Sequence, residues 1–314
     1  MATKASEKSN TWLALSNDLA AAIERTGPVV VAVHARPRTP SSGVSWQPGV
    51  VVTASHTVKR DEEITLTTAD GRTLPAKLAG RDPGTDLAVL RHEATDLAVA
   101  ETGDAGSLKA GNLVLAVGRR EGSGDESFPA GLGMVSHAGG PWRTWRGGEI
   151  DRFLRLDIAI FLGFSGGALV NAEGRVLGIN TTGLARGAGL IVPASTVNRV
   201  TAQLLEKGRV SRGYLGLGMM PIPLPEELRG KLNLPAPSGM MVLSVEPDGP
   251  AAAAGALIGD ILVALDGRPV GGLDDVQAAL GGERVGKSVR VQLVRGGSTV
   301  ELAITVGERP ALQR

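Results

Sequence analysis

The chain has 314 residues, 42% of them hydrophobic and 21% charged, enough material for two or three globular domains. Its 33 basic and 32 acidic residues leave a net charge of +1, and aromatics make up only 3%. Neither the basic face of a nucleic-acid binder nor a base-stacking platform is therefore expected. The lack of cysteine excludes thiol nucleophiles, disulfide scaffolds and thiolate metal sites, and leaves the compartment open.

Trp12, Leu15, Leu19 and Ile23 recur at helical spacing, so residues 11–25 are expected to form an amphipathic helix, stopped by Gly27-Pro28. Ser16, Asn17 and Asp18 interrupt the apolar stretch there, where a secretory leader needs about 7–15 apolar residues. No run reaches the roughly 18 apolar residues of a membrane helix. The sequence as it stands predicts a soluble chain without signal peptide or membrane span. It would be cytoplasmic as written, and periplasmic or otherwise extracytoplasmic if a leader has been trimmed.

Beyond residue 28 the texture changes to short β-branched runs separated by Gly, Pro and Asp turns, at 29–33, 50–53, 64–68, 113–117, 153–158, 176–180 and 190–192. Many short strands with frequent turns predict an all-β barrel or sandwich. Residues 121–148, rich in Gly and polar side chains around Trp142 and Trp145, predict a long loop and the turns around one strand. A second helix is expected over 196–207, with Val197, Val200 and Leu204 on one face, Ser195 as its cap and Gly208 at its end. A domain boundary is expected at 208–213.

Chemistry concentrates at three places. Ser165 sits in Gly163-Phe164-Ser165-Gly166-Gly167, where glycines permit a tight turn that aims backbone N–H groups one way. Taken alone, the motif fits a glycine-rich turn equally well. A serine nucleophile needs a base, and Val50-Val51-Val52-Thr53-Ala54-Ser55-His56 reads as an apolar strand running into a small-residue turn and then a histidine. His34 and His92 suit exposed or structural roles, and His137 lies in the loop-rich region. Asp86 heads the apolar run 87–90, where a partly buried carboxylate could orient an imidazole; Asp82, Asp96 and Asp104 suit turns or caps. The order His56, Asp86, Ser165, with gaps of 30 and 79 residues, is the chymotrypsin-type triad order. It would put histidine and acid on one barrel and serine on the next.

From about residue 22 to 307 the chain resembles the HtrA/Deg (high-temperature-requirement) serine proteases that carry one C-terminal PDZ domain. The matching segments are Thr53-Ala54-Ser55-His56-Thr57-Val58, residues 80–90 around Asp86, residues 163–170 and 174–181, and Arg212-Gly213-Tyr214-Leu215-Gly216-Leu217. The resemblance implies a mainly β fold: a chymotrypsin-like double β-barrel protease domain over 28–208 and an α+β PDZ domain over 214–308. An N-terminal helical segment (1–27), a linker (209–213) and a tail (309–314) complete the expected organisation. It also implies an endopeptidase acting on unfolded or damaged proteins, the alternative being a protease-shaped peptide-binding or chaperone-like protein with little turnover.

By resemblance, the backbone N–H groups of Gly163 and Ser165 form the oxyanion hole. Ile160, Ile179, Asn180 and Thr181 lie at the substrate pocket, which lacks an acid and so implies small aliphatic preference. Tyr214, Leu215, Gly216 and Leu217 form a carboxylate-binding loop for C-terminal peptides, flanked by a helix at 273–280 with Val276 and Leu280 on one face. A homotrimer is implied, and no metal or cofactor. Two departures stand out. Ser55-His56-Thr57-Val58 replaces the usual Asn-His-Val-Val, and Phe164 replaces an asparagine, which could alter the loop's conformation or access beside Ser165.

Overall fold

The computed structural model describes residues 3–119, 128–158, 160, 161, 163–185 and 189–309, the first eight by backbone only. Part of the expected long loop (121–127), Leu162 of the nucleophile segment, Ala159 beside the expected pocket, residues 1 and 2, and 310–314 of the tail lie outside these. The chain divides into two units, Met1–Val210 and Ser211–Arg314.

The first unit opens with α1 (Thr3–Thr26), longer than the periodicity predicts. Its strands are β1 (Val30–His34), β2 (Ser41–Gln47), β3 (Val50–Ala54), β4 (Ile64–Thr67), β5 (Thr73–Asp82), β6 (Leu87–Arg91), β7 (Leu113–Val117), β8 (Ala130–Ala138), β9 (Trp142–Arg143), β10 (Glu149–Ile150), β11 (Leu154–Asp157), β12 (Ala168–Val170), β13 (Val176–Thr181) and β14 (Gly189–Pro193), followed by α2 (Ala194–Lys207). Two closed six-stranded barrels result, in the orders β1-β2-β3-β6-β5-β4 and β11-β14-β13-β12-β7-β8. Closure leaves no sheet edge on either barrel.

Three apolar clusters explain why the strand sequences read as continuous runs. Val51, Leu66 and Leu90 lie in a cluster within the first barrel, and Val114, Leu156 and Leu169 in one within the second. Val50, Val52, Val89, Val117, Val170 and Val192 belong to a third cluster shared by both barrels and α2. Adjacent residues of β3 therefore point into different cores, and both faces are buried. Strands buried on both faces lose the apolar–polar alternation of a half-exposed sheet. Each fully buried aliphatic contributes about 1.5–3 kcal/mol.

Helix α2 buries Val197, Val200 and Leu204 against the shared core and ends at Gly208 in the left-handed region (φ 71°). It starts earlier than Ser195 would set. Pro193 occupies the N-cap position without a side-chain bond, and Ser195 lies inside the first turn.

The second unit contains β15 (Gly213–Tyr214), β16 (Leu217–Pro223), α3 (Glu226–Leu232), β17 (Ser238–Val245), α4 (Pro250–Ala253), β18 (Ile261–Leu265), β19 (Arg268–Pro269), α5 (Leu273–Ala279), β20 (Ser288–Arg295), β21 (Ser298–Thr305) and β22 (Gly307–Glu308). Its main sheet runs β16-β17-β18-β20-β21, with β16 at one edge. Leu215, Met240, Leu262, Val276, Leu280, Val291 and Ile304 share its core. Helix α5 ends one residue before Leu280, which caps it.

Candidate active site

Strand β3 leads directly into a 3₁₀ turn, Ser55–Thr57, with His56 at its centre. The turn is held by Thr57 Oγ1 donating to the Ala54 carbonyl at 2.7 Å and Val58 N to the Ser55 carbonyl at 3.1 Å. Asp86 comes from the β5–β6 connection. There the buried Asp82 carboxylate accepts from Gly84 N at 3.1 Å and from Thr85 N and Oγ1 at 3.1 and 2.8 Å, shaping the turn as an aspartate turn does. Asp104 likewise caps its turn through Gly106 N, and Asp96 pairs with Arg72. Asp86 itself is in the left-handed region (φ 58°), which aspartate tolerates better than most residues.

That conformation turns both the carbonyl and the carboxylate of Asp86 toward the histidine turn. Ser55 N donates to the Asp86 carbonyl at 2.9 Å, and His56 N to Oδ1 at 2.8 Å. His56 Nδ1 lies 2.7 Å from Oδ2, which also accepts from Thr181 Oγ1. A carboxylate accepts only, so Nδ1 carries a proton, and in the neutral imidazole the lone pair is on Nε2. The Asp86 side chain is 5% exposed and that of His56 30%, so the acid is shielded while the imidazole reaches the cleft.

Ser165 lies in the turn before β12, in the second barrel. Gly163 and Gly166 on either side have φ of 99° and 90°. A Cβ at Gly166 would collide with the Ser42 carbonyl and Thr53 Oγ1, so only glycine fits. The turn is fixed on all sides. Gly166 N donates to the Asn180 carbonyl at 2.9 Å, Gly167 N to the Phe164 carbonyl at 2.9 Å, and Phe164 N to the Phe161 carbonyl at 3.0 Å. The buried Ser42 ties it to the first barrel: its N donates to the Ser165 carbonyl at 3.2 Å and its Oγ to the Gly163 carbonyl at 2.7 Å. Among the described residues no acceptor meets the N–H of Gly163 or of Ser165. Ser165 Oγ lies 3.2 Å from Thr182 Oγ1, and among the described residues it has no hydrogen bond to His56. An imidazole oriented by a carboxylate, a hydroxyl in a glycine turn and two open N–H groups can together carry out acyl transfer.

In the second unit, Leu215 and Gly216 (φ 79°) turn the chain from β15 into β16. Their carbonyls are taken by Ala251 N and Glu246 N, each at 2.8 Å. The N–H groups of Leu215 and Gly216 have no backbone acceptor among the described residues, and Leu217 follows them at the start of β16, a run of N–H groups of the kind an anion needs. Leu215, Val276 and Leu280 are buried beside this turn, and Tyr214 and Leu217 are half-buried.

Residues 41–179 match the trypsin-like peptidase domain and residues 213–306 the PDZ domain. A protein named "Probable periplasmic serine endoprotease DegP-like" from Pseudomonas fulva (strain 12-X) is 37% identical over 71% of this chain and 46% of its own length. A serine endoprotease from Yersinia pestis superposes with a TM-score of 0.73 at 32% identity, over 92% of this chain and 97% of that one. The chain belongs to the HtrA-type serine protease family. The HtrA-type protease AlgW, solved with a tripeptide, superposes with a TM-score of 0.74 at 31% identity, over 93% of this chain and 98% of its own. The chain spans about half the length of the curated relatives it matches.

Within this HtrA-type site, Phe164 does not face the cleft. It is 3% exposed in the core of the second barrel, edge-on to Phe161 with ring centroids 5.8 Å apart. The residues expected at the pocket are also placed differently from one another. Ile160 is half-buried against Gly189. Ile179 is fully buried in the shared core. Asn180 is fully buried too, with Nδ2 donating to the Ala168 carbonyl at 2.7 Å. Thr181 directs its hydroxyl at Asp86 and accepts from Gly183 N at 2.9 Å. Sequence reasoning missed Ser42, Thr182 and Gly183, and the hydroxyl role of Thr181. The small residues following the matched segment 174–181 were the available signal. Among the described residues no group of three or more His, Asp or Glu side chains could hold a metal ion.

Proposed function

We propose that the chain is a serine endopeptidase with His56, Asp86 and Ser165 as its triad. The observation that carries this is the His56–Asp86 pair, doubly bonded at 2.7 and 2.8 Å, with the adjacent Thr181 and Thr182 reaching Asp86 and Ser165 respectively. On substrate binding, Ser165 Oγ leaves Thr182, rotates toward His56 Nε2 and attacks the scissile carbonyl. His56 takes the hydroxyl proton and Asp86 stabilises the imidazolium. The N–H groups of Gly163 and Ser165 hold the oxyanion, each such donor being worth about 10²–10³ in turnover. His56 then protonates the leaving amine. Water, deprotonated by the same Nε2, hydrolyses the acyl-enzyme and restores Ser165.

Unfolded or damaged proteins are the substrates this reading favours, with small aliphatic residues before the scissile bond. A C-terminal PDZ domain over 214–308, behind a protease domain over 28–208, would capture peptides with free C-termini at residues 214–217, beside Val276 and Leu280. The solved AlgW complexes with a decapeptide and a tripeptide support a peptide site in the family. A periplasmic location follows the relatives' names. Among the described residues no helix is long and apolar enough to cross a membrane. A homotrimer assembled through the N-terminal helix is supported by its exposed Trp12 (73%) and Leu13 (60%), and a monomeric mass by light scattering would reject it.

The decisive experiment compares hydrolysis of unfolded casein, and fluorophosphonate labelling, in the chain and its Ser165→Ala variant. Hydrolysis and labelling lost together in the variant are expected. Equal hydrolysis rates would overturn the proposal.

A further inference from the structure

The open edge of β16 carries an unusual sequence for a strand that other chains could join: Leu217-Gly218-Met219-Met220-Pro221-Ile222-Pro223. Its partner on the other side is β17, with Met219 opposite Val242, Pro221 opposite Met240 and Pro223 opposite Ser238. In an antiparallel pair, alternate residues direct both backbone groups at the neighbour and the others direct both away. Two bonds fix which are which. Glu246 N donates to the Gly216 carbonyl and Leu224 N to the Pro237 carbonyl, so the even-numbered residues face inward. The odd-numbered residues Leu217, Met219, Pro221 and Pro223 therefore face the open edge. Proline has no N–H to offer and puts its ring where the hydrogen would be, so it belongs at such an outward position and blocks pairing there.

We infer that the PDZ unit reads only about the last three residues of a free C-terminus, because Pro221 and Pro223 close the edge to a longer partner. The inference rests on the peptide-capture reading above. A terminal carboxylate on the N–H groups of residues 215–217 sets the register. The last residue then donates to the Leu217 carbonyl, and the third from the end exchanges two bonds with Met219. The carbonyl of the fifth from the end meets Pro221 and finds no donor, and the proline ring holds that residue too far from the edge for its own N–H to reach the Pro221 carbonyl. An extended internal segment, lacking the carboxylate and needing a longer ladder, gains no purchase. Leu217 and Met219 pack on the same core as Leu215, Val276 and Leu280, so the side chain of the last residue meets apolar surface. The edge thus selects chain ends, such as those that proteolysis creates, over exposed strands of intact proteins.

The test uses the full chain in a Ser165→Ala background, so that bound peptide is not cut. Fluorescent, N-acylated peptides of three, six and ten residues sharing the free C-terminal sequence Ser-Val-Leu are titrated by anisotropy. Affinities within about twofold across the three lengths are expected. Pro221→Val should strengthen the six- and ten-residue peptides at least fivefold and leave the three-residue peptide unchanged, since the fifth residue can then pair with the edge. N-methylation of the third residue from the end should weaken the ten-residue peptide at least tenfold; at the fifth it should do nothing. This arm needs no protein variant. A tenfold rise in affinity from three to six residues, or equal sensitivity to methylation at both positions, would overturn the inference while leaving peptide capture intact. Failure of every free-acid peptide to bind, or equal binding of C-terminal amides, would overturn the capture reading, and the inference with it.

Discussion

A single methyl group at position 183 should disable the proposed triad without replacing any of its members. A Cβ built on Gly183 would lie 2.5 Å from Asp86 Oδ2 and 2.7 Å from His56 Nδ1. Ordinary contact begins at 3.4 Å, so Gly183→Ala demands movements of about 0.9 and 0.7 Å from the two atoms that meet. Neither is free to move cheaply, because Oδ2 accepts from both His56 and Thr181 while Oδ1 is held by His56 N. The φ of Gly183 lies outside the left-handed region, so the contact alone is responsible. A misplacement of about 1 Å costs on the order of 10² in turnover, about 2.7 kcal/mol of barrier. Loss of the correct tautomer would raise the cost toward 10⁴. The assay is kcat on a fluorogenic peptide, with the thermal midpoint as control; the residue is exposed, so the midpoint should move by only a few degrees. Combined with Asp86→Asn the losses should fall well short of additive, since both act on one contact. A folded Gly183→Ala enzyme with unchanged kcat would refute the reasoning.

Three further outcomes are expected. Phe164→Asn, which restores the residue usual in the family, should destabilise by about 3–5 kcal/mol, since it empties a core site and buries an amide; an unchanged thermal midpoint would contradict the placement of Phe164. His92 is 8% exposed with neither ring nitrogen partnered among the described residues, and burial holds its pKa below the usual value. The unfolded chain then binds the proton first, so stability is complete above about pH 6.5 and falls as the pH drops below it. His92→Leu should accordingly gain more stability at pH 5 than at pH 8, measured by urea unfolding. In the second unit Arg295 donates to both oxygens of the buried Asp260 at 2.7 Å and holds its carboxyl below the usual range. Arg295→Met should lower the thermal midpoint of the chain, since it leaves the Asp260 carboxylate without its bidentate partner. Stability from this pair is present above about pH 4 and lost as the pH falls through the folded value, and the variant should lose that acid limb.

Two residues of the proposed triad stood out because buried strands run as apolar stretches beside them. Strand β3 passes into the small-residue turn that carries His56, and Asp86 immediately precedes the buried run that opens β6. The proposed nucleophile stood out through its glycines, whose left-handed backbone is needed for the turn. What escaped the sequence depends on contacts far apart along the chain. Thr181 meets Asp86 across 95 residues, and Ser42 meets Gly163 across 121. A lone threonine or serine carries no periodic signal of such a partner. Phe164 was misleading for a related reason. Gly163 and Gly166 turn the backbone so sharply that its side chain faces the second core while the neighbouring hydroxyl of Ser165 meets Thr182.

Ser42 bonds the nucleophile turn twice from the opposite barrel, and its Oγ also accepts from Arg119 N at 2.8 Å. The oxyanion site therefore cannot outlast the union of the two halves. Heating should abolish catalysis and barrel association in one cooperative step, so that inactivation kinetics report the unfolding rate of the whole protease unit rather than a local loosening around Ser165. If the proposed triad is active, it should therefore be lost outright on denaturation, with no half-active form.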